Sequence, residues 1–312
     1  MKKVLLLLVP LVVAFLFGVL QGAYLPIGKW LYHTATQTEA SLYGFEKESV
    51  DIGDMKLALY RHANPGKPTL VMLHGYSADK DVWVRFAKHF TDDYQIIIPD
   101  LAGHGDSPYQ PEWNYGMPAQ AARVMALLDQ LNVQQAHFIG NSMGGFLTAT
   151  LAVRYPERTL SAVMVDAAGI TSPIPSDLYK MLENGHNPFL ITNRKEFDAF
   201  FAMTMRKAPF MPDIVLEAVS DNYIQRRESL VKILDDFALN DQLENQLSDI
   251  KAPAMIWWGD GDQLLHVSAV PLWQAGIPQA EVKIFEGIGH MPMMEIPSQS
   301  AKVYQAFLAK LK

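Results

Sequence analysis

At 312 residues, with 49% hydrophobic and 19% charged side chains, the chain has the composition of a folded protein and the length for one large domain with an insertion, or two small ones. A net charge of −7 and the lack of any dense Lys/Arg run exclude the basic footprint of a nucleic-acid binder. Without a single cysteine there is no thiol nucleophile, thiolate metal site, disulfide or lipidated N-terminal cysteine.

The chain opens with Lys2-Lys3 and an uncharged apolar run from Val4 to Leu20. A cleaved signal peptide has an apolar core of about 7 to 15 residues before a small-x-small site, whereas an uncleaved anchor needs about 20. Gln21-Gly22-Ala23 puts glutamine where cleavage wants a small residue, which favours the anchor. Tyr24, Trp30 and Tyr32 follow at interfacial depth, and the two lysines would hold the N-terminus in the cytoplasm. Residues 1–25 are therefore expected to hold the chain at a membrane, with the body on the far side, the periplasm in a bacterium. If the segment were cleaved, the product would be secreted.

Residues 33–41 are polar and predict a tether. Two β-like runs, Tyr43 to Ile52 and Met55 to His62, flank the hairpin signal Gly53-Asp54. After a Pro/Gly loop, Thr69 to Leu73 is a short apolar strand of the doubly buried kind and leads into His74-Gly75-Tyr76-Ser77. A helix at Val82 to Phe90, a strand at Gln95 to Ile98, the glycine-rich loop Asp100 to Ser107 and a helix at Met117 to Leu131 come next. A strand at Gln135 to Ile139 then meets Gly140-Asn141-Ser142-Met143-Gly144-Gly145, followed by a helix at Phe146 to Tyr155 and a strand at Leu160 to Val165 that ends in Asp166. Such alternation predicts an α/β domain built on a mostly parallel sheet with helices on both faces.

From Ile170 to Asp249 the alternation stops. Helical stretches rich in Phe and Met replace it, including Phe189, Phe197, Phe200, Phe201, Met203, Met205, Phe210 and Met211. The βα rhythm resumes with a strand at Ala254 to Trp258, a helix at His266 to Ala275, a strand at Glu281 to Phe285 and a helix at Ser298 to Leu311. The expected organisation is a core of residues 42–169 and 250–312 with residues 170–249 inserted as a helical cap.

Gly140-x-Ser142-x-Gly144 between a strand and a helix is the spacing of a nucleophile elbow, a tight turn that lifts a serine hydroxyl above the sheet. A serine hydroxyl is a weak nucleophile until an adjacent base, itself oriented by a third group, takes its proton. In elbow enzymes the acid and the histidine follow the serine in chain order. Asp262 lies after the strand ending at Trp258, and His290 after the strand ending at Phe285. Asp260 and Asp166 are rival acids. The backbone N–H of Met143 is one candidate oxyanion donor and that of Tyr76 the other, with Gly75 allowing a close approach. His74 reads as a hydrogen-bonding residue of the site floor, and His104 with Asp106 as residues ordering their own turn. This chemistry needs no metal and no cofactor.

At these residues the chain resembles the α/β-hydrolase superfamily over about residues 45–312. His74-Gly75-Tyr76-Ser77-Ala78-x-Lys80-Asp81-x-Trp83, Asp100-x-x-Gly103-His104-Gly105, Gly140-Asn141-Ser142-Met143-Gly144-Gly145 and Trp258-Gly259-x-x-Asp262-Gln263 are similar to the membrane-anchored monoacylglycerol lipases and related bacterial lipases. The resemblance implies the α/β-hydrolase fold with a helical cap, Ser142 as nucleophile, Asp262 as acid, His290 as base, and backbone donors at Tyr76 and Met143. It also implies a lipid or small ester as substrate. Hydrolases that cleave carbon–carbon bonds in ring-fission products share Gly-Asn-Ser-Met-Gly-Gly. Tyr76-Ser77-Ala78 and Met291 depart from their pattern, so an acylglycerol ester is the expected substrate. A non-catalytic binding protein on the same fold is the alternative of another class, against which the full set of serine, acid, histidine and oxyanion loop argues.

Overall fold

The computed structural model describes residues 24–238 and 243–311. The apolar run from Val4 to Leu20, expected to be an anchor, lies outside the described residues. Among those that are described, no helix is long and apolar enough to cross a membrane.

The first described element, α1, covers residues 24–42 and corrects the tether expected at 33–41. Its end explains why it is a helix. Gly44 adopts φ +81°, the Gly44 N–H donates to Ser41 O at 3.0 Å and the Phe45 N–H to Ala40 O at 3.0 Å, the paired bonds of a glycine-closed helix terminus. Tertiary contacts hold the rest. Ala40 is fully buried, Glu39 pairs with Arg85 at 2.7 Å and Lys29 with Asp221 at 2.6 Å. Polar composition suggested a solvated tether, but Lys29 and Glu39 pair with two other elements and Ala40 is buried, which docks the segment as a helix.

Strands β1 (Glu46–Asp51) and β2 (Lys56–His62) form the expected hairpin. They are followed by β3 (Thr69–Leu73), α2 (Val84–Ala87) between two short 3₁₀ turns, β4 (Gln95–Pro99), α3 (Met117–Gln130), β5 (Ala136–Asn141), α4 (Met143–Arg154) and β6 (Thr159–Val165). Helices α5 (Asp177–Glu183), α6 (Arg194–Thr204), α7 (Asp213–Gln225) and α8 (Arg227–Ala238) come next, with no strand among the described residues between β6 and β7. The chain closes with β7 (Ala254–Gly259), α9 (Val270–Gly276), β8 (Glu281–Phe285), α10 (Pro292–Glu295) and α11 (Pro297–Ala309). The sheet order is β1-β2-β4-β3-β5-β6-β7-β8, parallel from β4 to β8.

Side chains alternate across the sheet as the two-residue period of a strand requires. Val71, Leu73, Ile97, Met164, Ile256 and Trp258 enter the core under α3, α4 and α9. Leu70, Met72, Ile96, Ile98, Val163, Val165 and Trp257 enter the opposite core with Phe86, Tyr304 and Phe307. Two greasy faces account for the continuous apolar runs of the central strands, and they fix the register. All loops that carry candidate chemistry therefore emerge at the carboxyl edge of one parallel sheet.

A buried ion pair organises the loop after β4. Lys80, 4% exposed, donates to the fully buried Asp100 at 2.6 Å and to the more open Asp106 at 2.7 Å, while the Lys80 and Asp106 N–H groups also donate to Asp100. Removing one member of a buried pair strands the other charge at a cost of about 3–5 kcal/mol, whereas an exposed pair is worth about 1 kcal/mol or less. Urea denaturation is expected to show Lys80→Ala destabilised by about 3–5 kcal/mol and Asp106→Asn by about 1 kcal/mol or less. Equal midpoints for Lys80→Ala and the wild type would contradict the assignment.

Candidate active site

Ser142 occupies the turn between β5 and α4 with φ +58° and ψ −118°, a conformation costly for any residue with a Cβ. Backbone hydrogen bonds clamp it: Ser142 N–H donates to Val165 O at 2.9 Å, and Ser142 O accepts from Phe146 N–H at 3.0 Å and Ala168 N–H at 3.1 Å. The turn closes only because its neighbours lack side chains. A Cβ on Gly144 would collide with the Leu73 carbonyl, and one on Gly75 would stand 3.1 Å from Ser142 Cβ. The helix N-terminus begins at Met143, whose N–H has no carbonyl of its own helix to meet. The loop after β3 passes close to the serine at Gly75, and Tyr76 Oη donates to Leu230 O in α8 at 2.7 Å.

Asp262 and His290 come together from the loops after β7 and β8. His290 Nδ1 donates to Asp262 Oδ2 at 2.7 Å, and both residues are buried, at 4% and 6% exposed. The other oxygen of Asp262 accepts from the Leu264 and Leu265 N–H groups at 2.8 and 3.1 Å, so this carboxylate is well solvated by the protein. Ser142 and His290 line one cavity of about 760 Å³. A Ser142 Oγ to His290 hydrogen bond is not formed here; nucleophile and base commonly tighten only around substrate. The rival acid Asp260 points elsewhere, accepting from Gly287 N–H at 2.7 Å in an exposed loop. Asp166, the other rival, is fully buried, and its carboxylate, that of Asp262 and the His290 ring offer ligand atoms within 4.8 Å of one another.

His74 is a floor residue, as expected. Its Nε2 accepts from Leu101 N–H at 2.9 Å and its Nδ1 donates to Gly75 O at 2.8 Å, so it holds the loop after β3 against the loop after β4. Burial pushes its imidazole down to about 4 and that of His104 well below its usual range. Two anchors were not anticipated from sequence. Asn141 Nδ2 donates to His290 O at 2.8 Å and to Val165 O at 3.3 Å, which ties the elbow to the histidine loop. Glu295 accepts from Gly289 N–H at 2.8 Å and from the Arg206 and Lys207 N–H groups at 2.9 and 2.8 Å, which fixes the other side of His290. The adjacency of Asn141 to the serine was the available signal for the first. Nothing in the spacing marked the second.

Phe189, Phe200, Phe201, Met205, Phe210 and Met211 line the cavity, while Phe197 is fully buried among the helices themselves. A polar stretch of wall comes from Thr36 of α1 with Asp79 and Asp81.

Residues 68–297 match the α/β hydrolase fold family. The chain belongs to that family. As an α/β hydrolase it is 32% identical to Lipase 1 of Psychrobacter immobilis over 89% of this chain and 91% of the relative. It is 28% identical to the monoacylglycerol lipase abhd6-B of Xenopus laevis over 98% of this chain and 93% of the relative. A crystal structure of a membrane phospholipase A superposes with a TM-score of 0.89 at 32% identity, over 100% of this chain and 99% of that one. A 2-hydroxy-6-oxo-6-phenylhexa-2,4-dienoate hydrolase from Rhodococcus sp. strain RHA1 superposes with a TM-score of 0.74 at 16% identity, over 85% of this chain and 99% of that one, and shares the fold. Both groups of lipases named by the resemblance are thus among the relatives, and this α/β hydrolase is an enzyme of serine-hydrolase character.

Burial of neutral imidazoles gives the stability a definite acid limb. His74 and His137 both sit at about 4, below the roughly 6.5 of an unfolded histidine, so the unfolded chain binds their protons first as pH falls. Their stabilising effect is complete above about pH 6.5 and is lost between there and about pH 4, by about 3 kcal/mol for each group. The stability advantage of the wild type over His137→Gln should therefore shrink by about 3 kcal/mol in urea denaturation between pH 6.5 and pH 4. A difference between the two that does not change with pH across that window would contradict neutral burial of His137.

Proposed function

We propose that this α/β hydrolase cleaves carboxylic esters of lipids, acylglycerols and in particular monoacylglycerol, through an acyl-enzyme on Ser142. The observation that carries the reading is a buried Asp262–His290 hydrogen bond of 2.7 Å beside a strained serine in a Phe- and Met-lined cavity. His290 Nε2 takes the hydroxyl proton as Ser142 Oγ attacks the ester carbonyl. The Met143 and Tyr76 N–H groups receive the oxyanion, and His290 then gives its proton to the departing glycerol oxygen. Water, deprotonated by the same imidazole, releases the fatty acid. Asp262 holds the ring and offsets the charge of the imidazolium.

Residues 170–249 act in this reading as the cap over the acyl chain, whose apolar methylenes match the Phe and Met wall. Thr36, Asp79 and Asp81 offer hydrogen-bond acceptors suited to glycerol hydroxyls. Lipase names among the relatives support the ester, since the dienoate hydrolase shares only the fold.

The apolar segment at residues 4–20 is read as a membrane anchor that leaves the catalytic body outside the cytoplasm. Helix α1 follows it directly and supports that reading twice over. Its Ile27 and Trp30 are 45% and 63% exposed, and its Lys29, Tyr32, His33 and Thr36 line the substrate cavity. A segment that holds lipid at hand on one side and forms a wall of the cavity on the other suits a substrate drawn from the bilayer.

A fluorophosphonate probe should label the wild type and leave Ser142→Ala unlabelled, with monoacylglycerol hydrolysis falling by roughly 10⁵-fold in the variant. Equal labelling of the two would remove the serine from its role. Preference for a ring-fission dienoate over monoacylglycerol would overturn the substrate. Intact mass of the mature, membrane-extracted protein should include residues 1–23; a product starting near residue 24 would contradict the anchor.

A further inference from the structure

Asp166 is a buried carboxyl that the mechanism above leaves without a task. It follows β6 at φ +45°, in the left-handed region that an aspartate occupies only at a cost. It is fully buried. Its Oδ1 accepts one hydrogen bond, from Gly259 N–H at 2.8 Å, and its Oδ2 is sealed from solvent with no donor facing it. A carboxylate oxygen of Asp166, one of Asp262 and a ring nitrogen of His290 lie within 4.8 Å of one another.

Two carboxylates in a dry site cannot both ionise at ordinary pH, and the proton goes to the one with fewer donors. Asp262 accepts three hydrogen bonds, from His290 Nδ1 and the Leu264 and Leu265 N–H groups. Asp166 accepts one. An orphan oxygen at close range to a second carboxylate is the geometry of a carboxylic acid whose hydrogen lies between them. We propose that Asp166 is held as a neutral acid that donates its Oδ2 proton to Asp262, and that it is a positioning residue which fixes the Asp262–His290 pair. The inference rests on the reading of Ser142, Asp262 and His290 as the catalytic set.

The charged and titratable groups that act on Asp166 are Asp262 after β7, His290 after β8 and Glu295 of α10. Burial first, then the negative charges of Asp262 and Glu295, push its carboxyl well above the usual carboxylate range. A neutral donor at this place orders Asp262 without adding a second negative charge beside the imidazole. The proton stays on Asp166 throughout turnover, so no transfer step is added to the reaction.

Asparagine reproduces a neutral acid closely, because its Nδ2–H can donate where the carboxyl hydrogen did. Alanine removes the donor. In infrared difference spectra at neutral pH, wild type minus Asp166→Asn should contain the C=O band of a protonated carboxylic acid, moved by ¹³C-aspartate labelling. A difference made only of carboxylate bands overturns the proposal. This readout does not depend on turnover, so a wild type without esterase activity would count against the proposed function alone.

In kinetics, Asp166→Ala should lower kcat by about 10- to 100-fold with KM little changed, the size of effect expected of a misplaced catalytic group. Its acidic pH limb should rise, because Asp262 without its donor binds the imidazolium more tightly. Asp166→Asn should recover most of the loss and leave that limb where it is in the wild type. If Asp166 were instead a second anion, Asp166→Asn would move the acidic limb downward by removing negative charge near His290. If it were a reserve catalytic acid, Asp262→Asn would keep activity that Asp166→Asn then abolishes. Either result overturns the proposal, and thermal unfolding of Asp166→Ala shows whether its loss is one of folding instead.

Discussion

One backbone conformation governs the site. Ser142 is held at φ +58°, where an L-residue rests only when the surrounding structure over-determines it. Here the constraint comes from a strand end, a helix and two loops at once. The Ser142 N–H bonds to the end of β6, its carbonyl to α4 and to the loop after β6, and glycine at 75 and 144 lets the β3 loop close over it. The sheet is therefore the device that stores the strain, since its register sets the positions of all the groups that clamp the serine. The same clamp leaves the Met143 N–H at a helix N-terminus, where the macrodipole favours the negative charge that develops on a carbonyl under attack.

The second constraint is electrostatic and follows from dryness. Asp262, His290 and Asp166 are all buried, so each charge must be met by protein groups or not form at all. Asp262 has three donors and is suited to carry the negative charge; Asp166 has one. His74, only a loop away, is kept neutral by burial and serves as a strut between two backbone loops. Chemically similar residues thus take different parts according to the number of donors each meets, and sequence position alone does not determine that number. The cavity continues this apolar surrounding, with aromatic and methionine side chains along the wall that Ser142 shares.

Much of this was legible in sequence. The strand Thr69–Leu73 was read to the residue, because a doubly buried parallel strand is a short apolar run bounded by turn residues. The turn at Ser142 and the histidine that meets Asp262 were legible for a different reason: the residue types suit one chemistry, and their order along the chain suits one fold. Helix α1 was misread because its polar side chains find partners on α7 and near α2, contacts that no local pattern reveals, although Gly44 was a visible stop signal. The choice among Asp166, Asp260 and Asp262 stayed open for the same reason. All three follow strands at one sheet edge, and only the fold turns Asp260 outward, joins Asp262 to His290 and seals Asp166 against them. Glu295 escaped notice entirely, since its role is to accept backbone N–H groups from residues that are remote in sequence.

The account stands or falls on a covalent bond at Ser142. The direct measurement is acid quenching of the enzyme during turnover of a monoacylglycerol, followed by peptide mass analysis of the segment that spans β5 and α4. The account requires that segment to carry the mass of the fatty acyl group on Ser142, and requires the adduct to vanish in His290→Ala. Glycerol released at full rate with no acyl group on Ser142, or with the group on another residue, would contradict it.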